Sequence, residues 1–201
     1  MAGLRERKKE QTRARIAAVA LELFAERGYD AVTVNEIAAA AEVAKATLFS
    51  YFPSKEALVL GGVADDDLAG VVTGRPADES VLQALRAHFQ AMATSVDPDF
   101  DPAALVTRMR VMFDSPALSA AANGLLYQQR QALTAALAAE FAPTVATLAA
   151  AQISATVLAL QESFFGRLVA GASLAEAGSS LATDVDIAFD LLEHGLSTEG
   201  L

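Results

Sequence analysis

Between Pro143 and Val169 the chain is apolar or small at almost every position, PTVATLAAAQISATVLALQESFFGRLV, with Glu162 and Arg167 the only charges. Wound as a helix, this run is a rod of roughly 40 Å at 1.5 Å per residue, apolar on every side. Such a rod has to be covered on all its faces, and other helices are the expected cover. Gly171 is placed to end it. No segment alternates apolar and polar residues in the manner of a strand, and no internal repeat or low-complexity stretch occurs, so the expected fold class is all-α.

The remaining helices are read from stripes and caps. From about Arg5 to Arg27, Ile16, Ala17, Ala20, Leu23 and Phe24 recur at intervals of three and four, and Gly28 stands where that helix should stop. A helix beginning after Ser54 is expected to continue to about Val72, with Gly61-Gly62 its one weak point. Asp78 is expected to open a helix with the stripe Leu82, Leu85, Phe89, Met92 and Val96. After a Pro-containing loop from Asp97 to Asp101, Asp101-Pro102 makes a cap and first position for a helix carrying Leu105, Met109, Met112 and Phe113. Ser115-Pro116 repeats that signal for a helix to about Phe141, with Asn123-Gly124 a candidate break. Ser173 and Glu176 form a capping box, and the last helix should run to Gly195 with Leu181, Val185, Ile187, Ala188, Phe189, Leu191 and Leu192 on a wide stripe.

Hydrophobic residues make up 53% of the chain, ample for a core. The absence of cysteine excludes disulfides, thiolate metal sites and cysteine nucleophiles, and two histidines, His88 and His194, are too few for most zinc sites. No metal and no cofactor is expected. The charged N-terminus lacks the apolar centre of a secretory signal, and the expected location is the cytoplasm. The net charge of −10 is unevenly spread: residues 1–60 hold nine Lys or Arg against eight Asp or Glu, and residues 61–201 hold six against seventeen. Arg5, Arg7, Lys8, Lys9, Arg13 and Arg15 lie in the first fifteen residues with only Glu6 and Glu10 opposing them. Salt screens charges beyond roughly 8 Å, so a basic end can hold phosphate while a distant acidic part does not interfere. The Asp65-Asp66-Asp67 run points in several directions on a helix and reads as a solvated face.

The stretch from Thr33 to Leu58, TVNEIAAAAEVAKATLFSYFPSKEAL, has the layout of a helix-turn-helix. Thr33 and Glu36 form a capping box, Ile37, Ala38 and Ala41 share a face, and Glu42-Val43-Ala44 is short enough to be the turn. Leu48 and Phe52 should face inward on the next helix, leaving Lys45, Ala46, Thr47, Phe49, Ser50 and Tyr51 outward. A cation and hydroxyls suit phosphate, and aromatic and small residues suit close approach to bases. Pro53 stops this helix and Ser54 can cap the next.

This stretch resembles the N-terminal signature of TetR-family transcriptional regulators, T-x-x-x-I-A-x-x-A-G-V-S, a short recognition helix ending L-Y-x-(Y/H)-F, then x-S-K-E-x-L. The match runs through Thr33, Ile37, Ala38, Ala41, Val43, Thr47, Leu48, Tyr51, Phe52, Ser54, Lys55, Glu56 and Leu58, and the first helix is similar to the family's opening through Tyr29. Three positions depart. Glu42 replaces the turn Gly, implying a turn that needs no positive φ; Ala44 replaces the Ser cap; Phe49 replaces Tyr and keeps only apolar contact.

The resemblance implies a three-helix DNA-binding domain over residues 1–53 and a larger helical effector-binding and dimerisation domain over residues 54–201. It implies a homodimer that binds a near-palindromic operator and is released by a small molecule, most simply a repressor, with an activator or an effector-independent regulator as the alternatives. DNA contacts are expected from Thr33, Lys45, Ala46, Thr47, Phe49, Ser50, Tyr51 and Lys55. Phe89, Met92, Arg108, Met109, Met112, Phe113, Gln161 and Phe165 are candidates for a mainly hydrophobic effector. Pairing of the last two helices puts Ile153, Val157, Leu160, Phe164, Leu181, Val185, Ala188 and Leu192 in the dimer interface. An all-helical enzyme using Glu162, His88 or Asp114 is the reading from another class, and no nucleophile, base and orienting residue stand at helpful spacing for it.

Overall fold

The structure is a computed structural model, and it describes residues 2–61, 63, 66–95 and 101–195, without the side chains of Ala2, Leu4 and Arg5. Expectations that rest on Arg5, Gly62, Asp65, Val96 and residues 97–100 lie outside the described residues. Helices are the only regular elements among the described residues: α1 (Ala2–Arg27), α2 (Val34–Ala40), α3 (Lys45–Tyr51), α4 (Ala57–Leu60), α5 (Leu68–Gly74), α6 (Val81–Thr94), α7 (Pro102–Asp114), α8 (Pro116–Leu137), α9 (Pro143–Val169) and α10 (Leu174–His194). The chain divides into two compact units, residues 1–65 with 103–124, and residues 66–102 with 125–201.

In the first unit α1 packs against α2 and α4, and α2 against α3. Ile16, Ala20 and Phe24 of α1 meet a core of Ile37, Leu48, Leu58 and Val59, all buried. Each such side chain contributes about 1.5–3 kcal/mol relative to exposure. In the second unit α10 packs on α6 and α9, and α5 on α6. Its core joins Leu85 and Phe89 of α6, Leu133 and Leu137 of α8, Ile153, Val157 and Leu160 of α9, and Val185 and Phe189 of α10.

Proline and capping signals mark helix starts as expected at Pro102, Pro116, Pro143 and Ser173, and Gly171 at φ 95° ends the rod. Three expectations are corrected. The helix expected from Ser54 to about Val72 is two short ones. α4 ends where Gly61 leaves the helical region at ψ 128°, and α5 starts afresh because the Asp67 carboxylate accepts from the Gly70 N–H at 2.8 Å. α6 is opened by Ser80, not Asp78: the Ser80 hydroxyl accepts from the Gln83 N–H, and the Gln83 side chain accepts from the Ser80 N–H. α8 passes through Asn123-Gly124 without a break, since one helical Gly costs only about 1 kcal/mol.

α9 is long and apolar enough to cross a membrane by length and composition. The structure instead buries its Ala146, Ala150, Ile153, Val157, Leu160 and Leu168. Its other side is not covered: Val145, Leu148, Leu158 and Val169 are exposed.

Candidate nucleic-acid interface

The candidate interface is built from the Thr33 cap forward. The Thr33 hydroxyl accepts from the Glu36 N–H at 3.3 Å and donates to the Glu36 carboxylate at 2.7 Å, which also accepts from the Thr33 N–H at 2.8 Å. Arg27, the last residue of α1, donates to the other carboxylate oxygen at 2.8 Å, clasping the end of α1 to the start of α2. These bonds, the Thr33 hydroxyl first, hold the Glu36 carboxyl down at about 2, well below its ordinary value. The hydroxyl's single proton is committed to Glu36, so Thr33 acts here as a cap.

α2 closes on a Schellman turn: the Val43 N–H donates to the Ala38 carbonyl at 2.9 Å and the Glu42 N–H to that of Ala39 at 3.1 Å. This closure needs the first residue past the helix cap in the left-handed region, and Glu42 sits there at φ 52°. The expectation that Glu42 marks a turn without positive φ is therefore wrong; the turn keeps the geometry glycine would ease. Ala44 precedes α3 with no side-chain cap, as its missing hydroxyl implied.

α3 is anchored by Leu48 and Phe52, both buried, and holds Lys45, Ala46, Thr47, Phe49 and Ser50 in solvent, with Tyr51 half-buried. Ser50 donates to the Thr47 carbonyl at 2.6 Å, so its proton is engaged. The side chains of Lys45, Thr47 and Tyr51 form no hydrogen bond among the described residues and remain open as donors. Lys55, a candidate phosphate contact, already has partners within the chain. Its ammonium donates to the Tyr29 carbonyl at 2.5 Å and lies 4.0 Å from the Tyr29 ring centre, and burial lowers its pKa. Burial, and then the charge of Glu56, pushes the Tyr29 phenol up. Arg13 of the basic stretch has its guanidinium 5.1 Å from the Phe52 ring centre, bracing the end of α3.

Residues 16–61 match the profile of bacterial regulatory proteins of the tetR family, and residues 79–197, more than half of the chain, match the MftR C-terminal domain profile. The chain belongs to the TetR family of transcriptional regulators. Among curated relatives it is 38% identical over 124 residues to the HTH-type transcriptional regulator TcmR of Streptomyces glaucescens, covering 59% of this chain and 55% of TcmR. It is 35% identical over 119 residues to MftR of Mycobacterium tuberculosis, described as a candidate regulator of mycofactocin biosynthesis, covering 57% of this chain and 58% of that protein. The chain thus spans about half the length of the curated relatives it matches. In fold it is similar to NalD, secondary repressor of the MexAB-OprM multidrug efflux pump in Pseudomonas aeruginosa, with TM-score 0.58, 18% identity, and coverage of 94% and 98% of the two chains. It is also similar to SmeT in complex with triclosan, with TM-score 0.57, 19% identity, and coverage of 94% and 93%.

The effector candidates of this TetR-family chain are divided between the units. Phe89 lies in the core of the second unit, its ring 6.2 Å from that of Phe189, while Met92 is exposed and Gln161 and Phe165 are half-buried. In the first unit Met112 is buried, Arg108 and Met109 are half-buried and Phe113 is exposed. Of the dimer candidates, Ile153, Val157, Leu160 and Val185 are buried in the chain's own core, and Leu160, Ala188 and Leu192 also line a groove between α9 and α10. Phe164, Leu181, Ala188 and Leu192 are half-buried. A helix apolar on every side gives no polarity contrast from which its inward stripe can be read. Apolar residues face outward at Val145, Leu148, Leu158 and Val169 of α9 and at Ile187 and Leu191 of α10. Between these helices lies an open groove of about 770 Å³ lined in part by Ala155, Ala159, Ile187 and Leu191. The Asp184–Arg167 pair, bidentate at 2.6 and 3.2 Å, fastens α9 to α10, and the arginine holds the Asp184 carboxyl low.

Proposed function

We propose that the chain is a homodimeric, effector-responsive repressor that reads a near-palindromic operator through α3 and works in the cytoplasm without a cofactor or metal. The observation that carries this reading is the outward side of α3. Lys45, Thr47 and Tyr51 present uncommitted donors for phosphate and base edges, and Ala46 and Phe49 present apolar surface to thymine methyls. Residues 1–53 supply the DNA-binding part and residues 54–201 the effector-binding and dimerisation part, with α4 packed on α1.

Dimerisation is supported by the uncovered apolar surface of α9 and α10, where Ile187 and Leu191 stand exposed along the groove and Val145 and Leu148 stand exposed on α9. A two-fold pairing there buries them, and a near-palindromic operator asks for two copies of α3 roughly 34–36 Å apart, one turn of B-DNA. An effector is supported within the first unit by the flexible apolar fillers Met109 and Met112 of α7, with Arg108 as their polar neighbour. NalD is a repressor and SmeT has been seen with triclosan, which agrees with this reading.

The test is selection of a duplex from a random-sequence pool, followed by titration of that duplex and screening of ligands for its release. The expected result is a palindromic site, salt-sensitive binding by a dimer, and release by at least one small molecule. Binding that shows no sequence preference would sink the reading.

A further inference from the structure

Arg108 differs from the other internally bonded arginines. Arg27, Arg75, Arg86 and Arg167 each face a carboxylate, whereas no carboxylate pairs with Arg108 among the described residues. Its Nη1 donates to the Gly61 carbonyl at 3.0 Å, and its Nε is buried with no acceptor. A guanidinium is always charged and carries five N–H donors in a planar fork that matches a carboxylate bidentately. Among the described residues this half-buried fork has one neutral acceptor.

That acceptor lies at a mechanically sensitive place. Gly61 ends α4, whose Leu58, Val59 and Leu60 are buried and which packs against α1. The Arg108 bond thus fastens α7 to the end of the helix that packs on α1 of the DNA-binding part. Met112, one turn along α7 from Arg108, is buried, so the cation borders apolar surface.

We propose that Arg108 is the receptor for an acidic effector, a small organic monocarboxylate, whose carboxylate takes the guanidinium from the Gly61 carbonyl and unfastens α4 from α7. The inference rests on the effector-responsive reading above and adds to it the class of ligand and the bond that the ligand breaks. A charge-assisted bidentate contact is stronger than one bond to a neutral carbonyl, so the ligand favours the unfastened arrangement. The fastened arrangement holds α4 and the helices packed with it in place before DNA arrives, and losing it lowers operator affinity. Coupling of ordinary size lowers that affinity about 5- to 150-fold, and operator DNA weakens carboxylate binding by the same factor.

The experiment uses the full chain and its selected operator, with fluorescence anisotropy on wild type, Arg108→Gln and Arg108→Lys. The probes are benzoate, 2-naphthoate and decanoate, each against its neutral amide, and circular-dichroism melting checks that the variants fold. The carboxylates should weaken wild-type binding at least about 5-fold and the amides should not. Arg108→Gln should bind operator more weakly than wild type without any ligand and ignore the carboxylates, while Arg108→Lys, charged but without the fork, responds in part. A wild type indifferent to all three acids, amides as effective as acids, or an Arg108→Gln that binds and responds like wild type overturns the proposal. Release of wild type by an amide retains the effector reading and removes the acid latch; failure to select any operator removes the reading and the latch with it.

Discussion

Glu42 is held at φ 52° by the turn that closes α2, although its Cβ is disfavoured there by roughly 1–2 kcal/mol. Glu42→Gly should therefore stabilise the chain by about 0.5–1 kcal/mol, part of the relief being offset by the greater freedom of glycine in the unfolded state. Thermal and urea melts check this, and a destabilised variant would mean that Glu42 does other work. The Glu36 cap gives a pH prediction with a definite sign. Its folded value of about 2 lies below the ordinary 4.5, so its stabilisation is complete above the ordinary value and is lost as pH falls through 4.5 toward 2. The stability difference between wild type and Glu36→Gln should be flat above about pH 5.5 and shrink below it. A difference independent of pH down to 3 would show that the carboxylate is not the group responsible.

Helices meet closely where small residues allow it. A Cβ added at Gly178 of α10 would lie 2.9 Å from the Ala93 carbonyl oxygen of α6, a backbone atom that cannot swing aside. Gly178→Ala should cost about 1–3 kcal/mol in spite of alanine's better helix propensity, because α10 must move off α6. A melting temperature equal to or above wild type would show that the two helices adjust freely. On α3 the prediction concerns binding: Lys45→Ala should leave the melt unchanged and flatten the plot of log affinity against log salt by about one phosphate's worth. An unaltered slope would place the phosphate contacts elsewhere.

For the molecule as a whole, burial separates folding from assembly. Val185 is fully buried in the chain's own core, whereas Leu191 is 49% exposed on the outer side of α10. Val185→Arg should unfold the chain by leaving a charge without a partner in the core. Leu191→Arg should give a folded monomer with weakened operator binding, since the two-fold pairing is lost. Sedimentation with circular dichroism distinguishes them, and a Leu191→Arg protein that remains dimeric would move the interface off this side.

Helix starts were legible in the sequence because their causes are local. The partners of a capping box stand three residues apart, as in Thr33 with Glu36 and Ser173 with Glu176, and a proline at the first position declares itself. The recognition helix was legible for a related reason: Leu48 and Phe52 are four apart, and the residues between them are thrown outward. The orientation of α9 was not legible, because Val157 and Leu158 are equally apolar neighbours and only packing sends the first inward and leaves the second exposed. Nor was Lys55, whose amine is claimed by a carbonyl 26 residues earlier, or the Arg108 bond to Gly61, which spans 47 residues. The sequence by itself determined the helices, their caps and the module that α3 belongs to, since these depend on atoms within a turn or two. Only the tertiary structure decided which side chains remain free to meet DNA, ligand or a second copy, because a long flexible side chain bonds to whatever the fold brings near it.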